Sequence, residues 1–283
     1  MPIPESALEP LAASHDIISL GMMADEVRRR LHGTATTFVR VATVPADAAS
    51  PLPPFAAAGE IRIVGTPASR AAAVARVRET VAAANGVPVS GYSLVDLDAV
   101  ASSDGSSLRS LLEELRAAGL ELVAEAPVDV LADARRSIEE VNIAGLVLAR
   151  LTVDRTPSPD PLPLLRSVAE LQRAVAVIRA FAPLPRRFNP AAPSTGFEDV
   201  TRIALARIVA DNIPSIQVDW SLYGPKLAQV ALTVGADDLD AVAAADDVSQ
   251  GHRRSPLEEV RRNIRAAGYD PVERNGRFDR LPR

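Results

Sequence analysis

The stretch EIRIVGTPASRAAAVARVRETVAAANGVPVSGYS, Glu60–Ser93, reads as strand, helix, strand. EIRIVG (Glu60–Gly65) is a short run rich in β-branched residues. The middle puts Val74, Val77 and Val81 on one helical face, and Asn85-Gly86 stops the helix. VPVSGYS then resumes as a strand. Strands alternating with helices are the mark of βα units and a parallel sheet.

The pattern continues in both directions. Upstream, a helix over about Asp16–His32 carries Leu20, Met23, Val27 and Leu31 on one face and ends at Gly33. A strand follows at about Thr36–Val44, then the Pro/Ala loop Pro45–Gly59, which has no helical signal. Downstream, Leu108, Leu111, Leu112 and Leu115 mark a helix that stops at Gly119. LELVAEA is a fourth strand, DVLADARRSIEEV a helix and GLVLARLTV a fifth strand. A helix over about Leu164–Gln172 leads into VAVIRAFAPL, the sixth. Thr195 and Glu198 have capping-box spacing before DVTRIALARIVADN, and IPSIQVDWS (Ile213–Ser221) is the seventh strand. KLAQVALTVG is helical, and Ser255-Pro256-Leu257-Glu258 opens a last helix ending near Gly268.

Seven strands with no crossover helix between the first two fit a TIM-like (βα) barrel, complete or incomplete, better than an open three-layer sheet. No shift in composition divides residues 1–283. The expectation is a single barrel domain with a helical extension over about 1–33 and a helical tail over about 255–283.

The 283 residues carry a net charge of −5, with 47% hydrophobic and 24% charged side chains. That is a globular composition, with no general attraction for nucleic acid or an anionic membrane surface. Lys226 is the sole lysine. No run approaches the ~18 apolar residues of a membrane span. The opening MPIPESALEP lacks a basic region followed by an apolar core. A cytoplasmic protein is expected.

Cysteine is absent. That excludes disulfides, thiol catalysis and any iron–sulfur cluster held by thiolates of this chain. The histidines, His15, His32 and His252, are far apart in sequence and form no spaced ligand pair, so no metal site is expected. Dinucleotide, Walker A and nucleophile-elbow patterns are missing. VGTPASR (Val64–Arg70) could hold an anion at a helix N-terminus, but an ordinary βα turn is the better reading. Glu113/Glu114, Asp237/Asp238 and Asp246/Asp247 are sequence neighbours that read as solvated faces and caps. Asp219-Trp220 stands out because it ends a strand, where barrel sites form.

The C-terminal third carries a more specific signal. Asn212-Ile213-Pro214, Trp220, Lys226-Leu227-Ala228-Gln229 and Gly235-Ala236-Asp237-Asp238-Leu239-Asp240 follow one another in DNIPSIQVDWSLYGPKLAQVALTVGADDLDA. This segment resembles the radical S-adenosylmethionine enzymes of the futalosine route to menaquinone, aminofutalosine synthase and cyclic dehypoxanthine futalosine synthase. PVERNGRFDRL at the end is similar as well. Upstream, LGMMADEVRRRLHG, EIRIVG, GYSLVDLDAVA, ELRAAGLELVAEAPVDV and FAPLPRRFNP resemble the family more weakly, with Asn189 where the family has histidine. The resemblance implies a (βα) barrel.

It also implies a Cys-x-x-x-Cys-x-x-Cys loop after the first strand, holding a 4Fe–4S cluster that cleaves S-adenosylmethionine. Here that place is Pro45–Gly59, without cysteine or histidine. The family's double-glycine turn is Gly65-Thr66-Pro67, and its glycine run is Ala124-Glu125-Ala126-Pro127, followed by Asp129. Glycines there permit close backbone approach. The expectation is that neither the cluster nor S-adenosylmethionine is bound, which makes the chain a catalytically degenerate relative. Its partner would be an active radical paralogue or a second copy, and its ligand a nucleoside-like small molecule. The alternative is a repurposed non-radical enzyme acting on a nucleoside-like or small aromatic substrate at the barrel mouth. Glu125, Asp219 and Arg187 are its catalytic candidates, and Arg40, Arg150, Arg179, Asn189 and Trp220 its binding candidates. A third option is a structural protein.

Overall fold

A computed structural model describes residues 5–47, 49, 51–55, 57–155, 158, 160–187, 194–245 and 256–282. Its parallel strands, in chain order, are β1 (Ala35–Pro45), β2 (Glu60–Val64), β3 (Val89–Ser93), β4 (Leu122–Pro127), β5 (Val147–Leu148), β6 (Leu151–Val153), β7 (Ala180–Pro185), β8 (Ser215–Asp219), β9 (Asp238–Ala243) and β10 (Asp270–Arg274). The helices are α1 (Glu5–Ala12), α2 (Ile17–His32), α3 (Arg70–Ala83), α4 (Leu94–Ser103), α5 (Leu108–Ala117), α6 (Ala134–Ile143), α7 (Leu162–Val175), α8 (Gly196–Val209), α9 (Trp220–Thr233) and α10 (Pro256–Ala266).

The sheet closes on itself. Neighbours run β1-β2-β3-β4-β6-β7-β8-β9, and β9 pairs back with β1. β5 and β6 both pair with β4 and form one interrupted stave, so the barrel has eight. This settles the open question of completeness, because the seven-strand reading missed β9. Its sequence, DLDAVA, was hidden by the reading of Asp237 and Asp238 as solvated. Asp238 and Asp240 are buried instead, alternating with buried Leu239. The period of two is present, with the carboxylates turned toward other charged side chains.

β10 was also unforeseen in a tail expected to be helical. It lies parallel to the first half of β1, from Ala35↔Asp270 to Val39↔Arg274. The second half of β1 pairs with β2, from Val41↔Glu60 to Pro45↔Val64. The tail thus fills the space along β1 that precedes β2. Arg274 enters the barrel and forms two bonds to Asp238, at 2.6 and 2.7 Å. Arg277 grips Glu121 in the same way, at 2.6 and 2.7 Å.

Local chemistry accounts for most boundaries. Asp16 caps α2 by accepting from the Ser19 N–H at 3.0 Å, and Gly33 leaves it at φ +60°. The capping box of α8 forms as expected. α7 runs on to Val175 and stops at left-handed Ala176, so β7 begins later than the VAVIRAFAPL reading. α9 starts earlier than expected, at Trp220, and kinks at Gly224-Pro225. α4 follows β3 directly. The capping box proposed at Ser255 lies outside the described residues.

α2 packs against α8 and α9. Arg28 is fully buried there, donating to the carbonyls of Gly33, Ala35 and Ala236 at 3.0–3.1 Å and lying over the Tyr269 ring. Arg207 does the same for Gly235 at 2.9 Å and pairs with Asp237. These arginines satisfy carbonyls at the start of strands, where the backbone would otherwise lack donors.

Arg274→Ala removes one partner of a buried ion pair and leaves Asp238 short of its positive charge. The expected loss, read by urea denaturation, is about 3–5 kcal/mol of unfolding free energy.

Candidate functional site at the C-terminal ends of the strands

Inward alternation in β2 gives the site its base. In EIRIV, Glu60 and Arg62 share one face and Ile61 and Ile63 the other. Arg62 donates from Nε to Glu60 at 2.8 Å and bidentately to Asp240 of β9 at 2.8 and 2.9 Å. Ser90 of β3 donates to the same Glu60 oxygen at 2.6 Å. Arg150, between β5 and β6, brings Nη1 to 2.8 Å from Asp240. A second set lies at Asp238, which pairs with Arg274 and accepts from Thr37 and from Gln217 at 2.7 Å. The middle of the barrel is therefore filled by a buried charge network.

The rim is a further bridge. Arg186, the residue after β7, lies 3.1 Å from Glu125 of β4 and 3.2 Å from Asp219 of β8. Tyr223 donates to the Pro185 carbonyl at 2.5 Å and so fixes the strand end that launches Arg186. Asp219 also caps α9, accepting from the Leu222 N–H and the Ser221 hydroxyl at 2.9 and 2.8 Å. Beside this bridge, Arg187 chelates Asp154, while Asp129 accepts from the Asp154 and Arg155 N–H groups at 2.7 and 2.9 Å.

The candidates read from sequence divide accordingly. Glu125 and Asp219 do converge, with Arg186, which was not singled out, between them. Arg187 is at the rim but committed to Asp154. Arg150 is inside the barrel, and Trp220 is buried in the apolar core. Two candidates sit elsewhere. Arg40 pairs at 2.6 Å with Glu273 of β10, which Arg261 of α10 also approaches. Arg179 precedes β7 and donates to the Arg277 carbonyl at 2.8 Å, at the opposite end of the barrel. A strand-end position had suggested the mouth for both, but strand direction and the pairing of β10 send them away. Asn189 and His252 lie outside the described residues. VGTPASR is the ordinary βα turn, since Ser69 itself caps α3. His32 ends α2 with Nε2 2.7 Å from the Pro214 carbonyl, and His15 stacks on Phe197. Among the described residues no three His, Asp or Glu side chains form a metal-ligand group.

Glu60, Arg62, Arg186 and Asp240 were missed. The alternation of Glu60 and Arg62 with isoleucines was the available signal for the first two. Nothing local marks Arg186, whose role depends on β4 and β8 arriving on either side of it.

Comparison with known proteins adds to this geometry. Residues 185–282 match the family described as the CofH/MqnC C-terminal region. An aminodeoxyfutalosine synthase of Streptomyces coelicolor is 37% identical over 95 residues, 31% of this chain and 24% of that protein. A cyclic dehypoxanthine futalosine synthase of the same organism is 29% identical over 190 residues, covering 60% and 47%.

In its C-terminal region the chain is similar to the futalosine-pathway radical S-adenosylmethionine enzymes.

A 5-amino-6-(D-ribitylamino)uracil–L-tyrosine 4-hydroxyphenyl transferase of Archaeoglobus fulgidus is 27% identical over 225 residues, 69% of this chain and 65% of that protein. The chain thus spans less than two thirds of the length of each of these relatives. The barrel itself superposes on methylornithine synthase with a TM-score of 0.68 at 11% identity, covering 96% and 95% of the two chains. The matched C-terminal region supplies Arg186, Asp219, Asp238, Asp240 and Arg274, whereas Glu60, Arg62, Glu125 and Arg150 come from upstream.

The residues present do not fit a cluster of the family's type. The β1–β2 connection offers the side-chain oxygens of Asp47 and Ser50 and no thiol. Hard oxygen donors are poor substitutes for thiolates around iron–sulfur clusters.

Burial opposes charge on Asp240, but Arg150 and Arg62 outweigh it and hold the carboxyl well below the usual range. Glu60 is lowered too, since Arg62 and Arg150 outweigh its burial. Both native values lie below the unfolded ones, about 3.9 and 4.3. Their contribution is full above those values and is lost as pH falls through and below them. Unfolding free energy should drop steeply below about pH 4, and Asp240→Asn should flatten that slope in urea titrations across pH.

Proposed function

We propose that this chain is a cluster-free relative of the menaquinone-pathway radical enzymes that acts as a binding or partner subunit. The observation that carries this reading is the side-chain filling of the barrel interior by Arg62, Arg150, Glu60 and Asp240, capped by the Glu125–Arg186–Asp219 bridge. A chain without cysteine has no thiolates for the electron-donating cluster. The ligand in this reading is a nucleoside-like small molecule seated at the mouth. The partner is an active radical paralogue or a second copy, in the cytoplasm.

One observation favours a repurposed enzyme instead. Glu125 and Asp219 converge, as a pair of acid–base groups would. Arg186 lies between them, however, and Asp219 is committed to capping α9. Both carboxylates thus have a structural occupation, which favours the binding role.

Anaerobic reconstitution with iron and sulfide, followed by melting with adenosine or inosine, tests the proposal. The expected result is no stoichiometric iron or sulfide and a rise of several degrees with a nucleoside, since a ligand that binds only the folded state stabilises it. A retained stoichiometric cluster, or cleavage of S-adenosylmethionine, would overturn the cluster-free reading. Indifference to nucleosides would remove the nucleoside ligand.

A further inference from the structure

Arg150 is a member of the barrel network left with two unused hydrogen-bond donors among the described residues, where the Gln217 Oε1 is the other unpartnered atom of that network. It is 2% exposed, and its Nη1 is spent on Asp240. Its Nε and Nη2 have no hydrogen-bond partner among the described residues. These two N–H groups form one edge of the guanidinium, a planar fork that matches a carboxylate. The same protein shows what that edge accepts. Arg274 uses Nε and Nη2 to hold Asp238 at 2.6 and 2.7 Å, and Arg277 uses them to hold Glu121 at 2.6 and 2.7 Å. A buried donor pair without an acceptor is costly, and native structures seldom leave one.

Its surroundings point the same way. On the stave that carries Arg150, two residues further toward the strand ends, the Thr152 hydroxyl is buried and also unpartnered. Arg150 is level in the sheet with Glu125, because its carbonyl accepts the Ala126 N–H at 3.1 Å. Burial and then the neighbouring Arg62 disfavour charge on Arg150 more than Asp240 and Glu60 support it, with Arg186 adding to the repulsion. An incoming anion would relieve that imbalance. Arg186 is already engaged, its Nε with Glu125 and its Nη1 with Asp219.

We propose that the Nε–Nη2 edge of Arg150 is the binding site for the carboxylate of a small organic ligand held in the barrel mouth. This rests on the binding role proposed above and names the chemical group that the ligand must carry. The Thr152 hydroxyl supplies a further hydrogen bond, and the Arg186 bridge closes over the bound group.

The test uses the full chain, with benzoate as a planar carboxylate and benzamide as its uncharged counterpart, read by calorimetric titration and thermal melting. Benzoate is expected to bind and raise the melting temperature, and benzamide is not. Arg150→Met should weaken benzoate by about tenfold or more, the cost of a charge-assisted hydrogen bond. Arg150→Lys keeps the charge but loses the fork, and should weaken it by a smaller factor. Should the methionine variant not fold, the lysine variant and the benzoate–benzamide contrast decide. Equal responses to benzoate and benzamide, or benzoate binding undiminished in the variants, would overturn the assignment. A nucleoside response persisting in that case would leave the binding role standing without this site. Loss of the nucleoside response alone would leave the carboxylate site standing.

Discussion

Two aspartates on one strand, Asp238 and Asp240, hold the interior of this protein together. Each is buried, and each is neutralised from a different part of the chain: Asp240 by Arg62 and Arg150, Asp238 by Arg274 of the tail. A carboxylate in such a place is tolerable only with its charge and hydrogen bonds met. β9 is the stave that closes the ring onto β1, so closure of the barrel and pairing of these charges are one event. The tail strand β10 belongs to the same event, because it delivers Arg274. Replacement of the whole network by apolar groups is physically conceivable, but removal of one partner is not neutral.

The same network constrains what the barrel can do. In a (βα) barrel, chemistry gathers at the C-terminal ends of the strands, where loops can vary without disturbing the staves. Here those ends carry ion pairs: Arg186 with Glu125 and Asp219, and Arg187 with Asp154. Side chains occupy the path inward. The C-terminal region, which contributes Asp238, Asp240 and Arg274 to the interior, is similar to that of the futalosine-pathway relatives, while the β1–β2 connection carries no cysteine. Arg150 keeps a buried guanidinium edge without a partner among the described residues, which is why a ligand group is assigned to it.

Arginine serves two ends in this chain. At the start of the strands, Arg28 and Arg207 are buried among carbonyl oxygens and donate to them. Within the barrel, Arg62, Arg150 and Arg274 meet carboxylates. The sequence showed an arginine-rich chain with one lysine but could not sort these uses, since each depends on residues far away. Arg28 meets Ala236, and Arg62 meets Asp240. Candidates chosen by strand-end position fared unevenly for the same reason. Glu125 and Asp219 did arrive at the mouth, whereas Arg40 and Arg179 were drawn to the tail.

The sequence alone determined the βα alternation, the caps of α2 and α8, and the absence of thiolate ligands, because period, capping and composition are local properties. It also carried the likeness of the C-terminal region. The tertiary structure decided that the ring closes with eight staves, that Asp238 and Asp240 face inward, and that Arg186 lies between two carboxylates. Those facts depend on which strands become neighbours. The partners of Asp238 and Asp240 come from strands 36 and 178 residues away, so no short window of sequence contains both halves of those pairs.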